Sequence, residues 1–181
     1  NALPAWPYPL WIAHRGAGKL APENTLAAFR LGAAHGYRMF ECDAKLSADG
    51  VVFLMHDATL ERTTNGQGIG GELPWHTLSQ LDAGSWHSRT WAGEALPTLE
   101  ALARFCQTNG HLLNIEIKPT PGVEALTGAL VADGNRGDCT GLPAIARIGP
   151  YGLELACNDG QVSDMRRARS VSCWVAVLRD K

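Results

Sequence analysis

The chain has 181 residues, 45% of them apolar and 19% charged, with a formal net charge of −2. That is enough for one globular domain with a sizeable core, and the near-neutral balance leaves no electrostatic footprint for nucleic acid or an anionic membrane. No run of about 18 apolar residues marks a membrane span. Five scattered cysteines, Cys42, Cys106, Cys139, Cys157 and Cys173, contain no C-x-x-C pair, which argues against a zinc site or disulfide framework and for reduced thiols in a cytoplasmic protein.

Asn1 to Pro9 holds three prolines and no basic stretch, and reads as an extended lead-in rather than a signal peptide. Leu10 to Ala13 is the first of four short apolar runs with the length and makeup of a buried strand, and it ends in His14-Arg15-Gly16. A polar loop with Pro22 follows. Asn24 or Thr25 then caps a helix in which Leu26, Ala27, Phe29, Arg30, Leu31, Ala33 and Ala34 carry the helical periodicity, with Gly36 in the stop position.

The second run, Tyr37 to Phe40, leads into Glu41-Cys42-Asp43, and the third, Val51 to Met55, into His56-Asp57. Only Ala44 to Gly50 joins them, too short for a helical crossover. An extended return of about 23 Å fits, and it is the preferred reading because it brings His56 to the face of Glu41. An antiparallel hairpin through Asp49-Gly50 is the alternative.

Residues 58–94 break the rhythm. They are rich in Gly, Thr, Ser, Trp and His, with one weak helical piece over Thr77 to Leu81. Trp75, Trp86 and Trp91 argue against disorder, so the stretch reads as a small functional cap beside the mouth. Its partial G-x-G-x-x-G, Gly66 to Gly71, follows no strand and carries no weight. Pro97 and Thr98 open a helix to about Thr108, with Leu99, Leu102, Ala103 and Cys106 inward. The fourth run, Leu112 to Ile115, leads into Glu116-Ile117-Lys118.

In each run the chemistry follows the strand. In a parallel α/β sheet or barrel those C-terminal ends share one face, where active sites are built. Glu41 and Asp43, two apart on extended chain, can point the same way. With Glu116 they suit one hard divalent cation, Mg2+ or Ca2+. Pairing with Arg15 or Lys118 is the plainer alternative. His14 and His56 are candidates for general base and general acid. Arg15, with its fork, and Lys118, as a point charge, suit a phosphate.

These residues resemble the glycerophosphodiester phosphodiesterase family in its small bacterial cytoplasmic form. His14-Arg15-Gly16 with Pro22-Glu23-Asn24-Thr25 is similar to its opening signature. Glu41-x-Asp43, Asp49-Gly50, His56-Asp57 and Leu60-x-Arg62-Thr63-Thr64 resemble its second block, and Glu116-Ile117-Lys118 its third. The resemblance implies a single TIM-type (β/α) barrel domain with residues 58–94 as inserted cap. It implies one divalent cation on Glu41, Asp43 and Glu116, His14 and His56 as the acid/base pair, and Arg15 and Lys118 on the phosphate. The implied substrate is a glycerophosphodiester, cleaved to glycerol 3-phosphate and an alcohol.

The resemblance covers roughly the first 120 residues. Beyond Lys118, Val123 to Ala132 and Val162 to Ser170 read as helices and Cys173 to Leu178 as a strand. Four more strand–helix units would need on the order of 120 residues at about 30 each, so the C-terminal half reads as incomplete, with segments omitted between Asp133 and Val162. The rival functions are a related phospholipase C or sphingomyelinase D-like phosphodiesterase, and a truncated relative that binds a glycerophosphodiester without turning it over.

Overall fold

The computed structural model describes residues 9–118 and, beyond them, the backbone of three strands at 145–149, 152–156 and 173–176. The predicted helices at 123–132 and 162–170 lie outside the described residues, as does most of the stretch in which omitted segments are expected.

Helix α1 spans Leu26–Ala34. Thr25 is the N-cap: its hydroxyl oxygen accepts from the Ala28 N–H at 3.2 Å and its O–H donates to the Pro22 carbonyl. The helix ends where Gly36 turns to φ +86°, its N–H donating to Ala33 O and that of Tyr37 to Gly32 O. Two glycines let α1 lie directly on the His14-Arg15-Gly16 loop. A Cβ at Gly32 would meet the Gly16 carbonyl oxygen at 2.1 Å, and one at Gly16 (φ +100°) would meet the Ala28 Cβ at 2.8 Å.

Strand β1, Met39–Leu46, is buried along its whole length. Phe40, Cys42, Ala44 and Leu46 enter the main core with Phe29, Leu54, Leu99, Leu102 and Cys106. Alternation sends Glu41, Asp43 and Lys45 to the opposite face. Strand β3, Leu112–Ile117, lies parallel to β1, with Asp43 directly across from Glu116. Between them runs α3, Leu99–Asn109, capped by Thr98 through the Ala101 N–H and closed by Gly110 at φ +63°. Leu99, Leu102 and Cys106 are buried there and Ala103 packs against the same core.

Two expectations need correction. The run at 10–13 does not form a full strand: among the described residues it pairs only at Ala13, opposite Phe40, and Leu10 and Trp11 are 85% and 80% exposed.

The link from Asp43 to Val51 is the hairpin, not the extended return. Strand β2, Val52–Leu54, is antiparallel to β1 with Ala44 opposite Leu54 and Leu46 opposite Val52. Gly50 at φ +86° supplies the turn, and Ser47 Oγ accepts from the Val51 N–H at 2.9 Å. His56 still arrives at the mouth, because β1 overshoots Asp43 by three residues before turning. The return leg then brings the Met55 N–H to the Asp43 carbonyl at 2.9 Å, with His56 next.

The cap contains two 3-10 turns, Gly70–Glu72 and Arg89–Trp91, and one helical turn, α2, at Trp75–Leu78, slightly ahead of the predicted piece. It has its own core: Leu60, Leu78 and Ala83 close over Phe53 and Met55, with Leu96. Glu94 ties it to α1 by accepting from the Ala27 N–H at 3.0 Å, and His87 meets the Lys19 carbonyl.

Strand β6, Cys173–Ala176, falls within the predicted 173–178 run and pairs antiparallel with β3, giving sheet order β2-β1-β3-β6. Strands β4, Ile145–Gly149, and β5, Gly152–Ala156, form a separate antiparallel pair in a stretch with no clear sequence period.

Candidate active site

The site begins where the chain leaves β1's neighbour at Ala13. The Ala13 N–H donates to Met39 O and its carbonyl accepts from the Glu41 N–H, both at 2.9 Å. That zip aims His14 and Arg15 over the end of β1. Arg15 and Asn24 both have positive φ, +52° and +59°, a left-handed conformation rare for side-chain-bearing residues and common where a site is pre-shaped. Each is held by what it touches. The Arg15 N–H donates to Glu41 Oε2 at 3.0 Å. The Asn24 N–H donates to the Arg15 carbonyl, and its side-chain amide donates to Asp43 Oδ2 at 2.7 Å.

Glu41, Asp43 and Glu116 come together. One carboxylate oxygen from each lies within 4.8 Å of the others. Register is the cause: Asp43 and Glu116 are direct partners across the parallel pair, and Glu41 lies two residues back on the same face. Burial, with Asp43 as a like charge beside it, pushes the Glu41 carboxyl up to about 7.

Both readings of the acids have support in the geometry. Lys118 Nζ bonds Glu116 Oε1 at 2.5 Å and lies 3.1 Å from Asp43 Oδ1, and Arg15 Nε lies 3.1 Å from Asp43 Oδ2. Those two Asp43 contacts are ion pairs without hydrogen-bond alignment: Asp43 Oδ1, Arg15 Nε and Glu41 Oε1 are buried without a hydrogen-bond partner. Buried lone pairs left open on two converging carboxylates fit a hard cation, and Glu41, Asp43 and Glu116 are the residues that could hold it.

His14 Nε2 is 3.9 Å from Glu41 Oε2, and its side chain is 64% exposed. Its pKa is lowered by partial burial and then by the Arg15 charge, and His56 is among the groups that act on it. His56 Nδ1 lies 2.7 Å from Asp57 Oδ1. Asp57 is held far below the ordinary carboxylate range, first by the Arg62 fork and also by His56. Lys118 is raised: burial opposes its charge, and the hydrogen bond to Glu116 with the charge of Asp43 outweighs burial.

Of the seven residues singled out in the sequence, Glu41, Asp43 and Glu116 converge, Arg15 and Lys118 contact Asp43, His14 lies beside Glu41, and His56 is near enough to act on His14. Sequence reasoning missed four others. Asn24 reads in sequence as a possible helix cap, but Thr25 caps and Asn24 grips Asp43. Glu23 bonds Arg15 and Arg62. Asp57 orients a ring nitrogen of His56. Lys45 is buried two residues beyond Asp43 on the same face of β1, lowered by burial and by Lys118. Alternation from Glu41 would have found Lys45. Nothing local signals the partners of Glu23 or Asn24.

Parallel strands with a helix between them, carrying acids on one face with histidines and cations close by, make the kind of arrangement on which barrel-type active sites are built. The chain belongs to the glycerophosphoryl diester phosphodiesterase family, whose model matches residues 14–140. A glycerophosphodiester phosphodiesterase of Caldanaerobacter subterraneus is 40% identical over 119 residues, 64% of this chain and 49% of that protein. The crystal structure of a glycerophosphodiester phosphodiesterase from Agrobacterium tumefaciens superposes with TM-score 0.65 at 38% identity, covering 68% of this chain and 52% of that one. A phosphodiesterase of Oleispira antarctica, in complex with the product sn-glycerol-3-phosphate, gives 0.64 at 40% identity over 70% and 51%. The shared fold is the TIM-type barrel, and the chain spans about half the length of the curated relatives it matches.

Proposed function

We propose that this chain carries a metal-dependent site for hydrolysis of glycerophosphodiesters to glycerol 3-phosphate and an alcohol. The carrying observation is the convergence of Glu41, Asp43 and Glu116 oxygens within 4.8 Å of one another, with His14 and His56 at the same mouth. The Oleispira relative's complex with sn-glycerol-3-phosphate supports the substrate class.

In this reading Glu41, Asp43 and Glu116 hold one Mg2+ or Ca2+, since the donors are all oxygen. When bound, such an ion supplies charge stabilisation at the phosphoryl oxygens. Arg15 and Lys118 bind and orient the phosphate. One histidine takes the proton of the glycerol 2-hydroxyl as its oxygen bonds phosphorus. The other gives a proton to the departing alcohol oxygen as its P–O bond breaks. Water then opens the cyclic phosphate with the roles reversed, restoring both rings.

Residues 58–94 shape the glycerol end as a cap within a single domain. Among the described residues no helix is long and apolar enough to cross a membrane. Cys42 and Cys106 are free and buried, and reduced thiols support a cytoplasmic location.

The test is release of glycerol 3-phosphate from glycerophosphocholine by this chain, after chelation and after return of Mg2+ or Ca2+. Turnover that returns with the metal is expected. Cleavage of an intact phospholipid instead would favour the phospholipase C-like or sphingomyelinase D-like reading. Binding of glycerophosphocholine without turnover in excess metal would make the chain a binding relative.

A further inference from the structure

Arg62 belongs to the cap, yet its guanidinium lies between two carboxylates of the mouth. Nε and Nη2 donate to Asp57 Oδ2 and Oδ1 at 2.6 and 3.0 Å. Nη1 and Nη2 donate to Glu23 Oε2 and Oε1 at 2.8 and 2.7 Å. Both edges of the planar fork are thus used. Beyond Asp57 lies His56 Nδ1, and beyond Glu23 lies Arg15 Nη1 at 2.8 Å. One cap residue therefore links the acid/base histidine to the phosphate arginine.

The chemistry of this link fixes a proton. Asp57 facing a guanidinium stays ionised, and an ionised carboxylate only accepts. The Nδ1 it faces must then be the donor, which leaves Nε2 of the neutral ring with the free lone pair. We propose that Arg62 is a positioning residue: through Asp57 it holds His56 in the Nδ1-protonated tautomer with Nε2 turned to the substrate, and through Glu23 it sets Arg15 against the same frame. This rests on the acid/base role given to His56 above.

The fork matters more than the charge. A lysine in this place is one point charge and cannot bridge four carboxylate oxygens in two directions. Stability is a lesser matter, because the Arg62 side chain is 44% exposed and ion pairs at such exposure contribute little.

The experiment compares this chain with its Arg62→Lys and Arg62→Ala variants in two measurements. The first is kcat and KM for glycerophosphocholine in excess Mg2+, with thermal melting as the folding control. The second is the 15N spectrum of the His56 ring without metal at about pH 8, above the ordinary histidine pKa of about 6.5, assigned by loss of its signals in His56→Gln. Expected is a fall in kcat of about 10–100-fold in both variants, a smaller change in KM, and a His56 spectrum that passes from one tautomer to a mixture. Arg62→Lys with the parent kcat overturns the proposal, as does a single His56 tautomer persisting in both variants. If the parent chain shows no turnover, the proposed activity fails, and the ring spectrum alone decides the role of Arg62. If Arg62→Ala does not fold, Arg62→Lys carries both readouts.

Discussion

Asn24 grips Asp43 from two sides. Its amide nitrogen donates to Asp43 Oδ2 at 2.7 Å, and its amide oxygen accepts from the Asp43 backbone N–H at 3.1 Å. Both ends of its side-chain amide are engaged, and its φ of +59° is a conformation that asparagine tolerates better than most. Asn24→Gly relieves the backbone and removes the grip; Asn24→Ala removes the grip and adds strain. Both should weaken divalent-cation binding by about 10–100-fold, the usual effect of losing a group that orients a ligand. Only Asn24→Ala should also lower the melting temperature clearly. Titration calorimetry with Mg2+ and Ca2+ checks the first effect and thermal melting the second. Unchanged affinity in both variants would mean that Asp43 needs no orienting partner.

Acid should loosen the mouth before the core. Burial opposes ionisation of Glu23, and the hydrogen bonds and charges of Arg62 and Arg15 outweigh it, so the folded pKa is lowered. Asp57 is lowered in the same direction, first by Arg62. A carboxylate with a depressed folded pKa stabilises the fold above its unfolded value of about 4, and that contribution is lost as pH falls through the folded value. Urea midpoints should therefore fall with pH below about 4, and fall less steeply in Arg62→Ala. Equal slopes in the two proteins would exclude the network as the source.

Gly32 is a packing position with functional reach. The hydrogen-for-methyl change in Gly32→Ala would drive Cβ to 2.1 Å from the Gly16 carbonyl oxygen and 2.8 Å from Phe40 Cε1. Backbone cannot yield cheaply, so α1 or the Arg15 loop must move. A loss of about 1–3 kcal/mol is expected, with weakened phosphate binding. Gly36→Ala serves as contrast: nothing lies within 4 Å of its Cβ, and only the φ of +86° is strained. Equal phosphate affinity in Gly32→Ala and the parent would separate the helix contact from the site.

The cap should also stabilise the helix beneath it. Glu94 Oε1 accepts from the Ala27 N–H in the first turn of α1, where the dipole favours an anion. Glu94→Ala is expected to cost about 0.5–2 kcal/mol and Glu94→Gln less, since the amide oxygen can still accept. Chemical denaturation measures both. A larger loss in Glu94→Gln than in Glu94→Ala would point to a role other than capping.

By itself the sequence determined what depends on neighbours along the chain. Asn24 or Thr25 with Gly36, and Thr98 with Gly110, bracket α1 and α3, because caps act within one turn. Alternation along Glu41-Cys42-Asp43 separated the acids from the core. The motifs at strand ends singled out the three acids that converge, Glu41, Asp43 and Glu116. Tertiary structure decided what depends on partners far apart in sequence. Seven residues ending in Asp49-Gly50 suited both an extended return and a hairpin. Pairing Leu54 with Ala44 settled the hairpin, and the overshoot of β1 to Leu46 still delivered His56. Leu10 and Trp11 look like buried strand in isolation, yet burial is a property of what lies opposite, and among the described residues both are exposed. Asn24 could cap a helix or hold an acid; only Asp43, 19 residues on, shows which. Arg62 and Glu23 stand 39 residues apart, and no local pattern encodes a bond whose two halves meet only when the cap folds over the mouth.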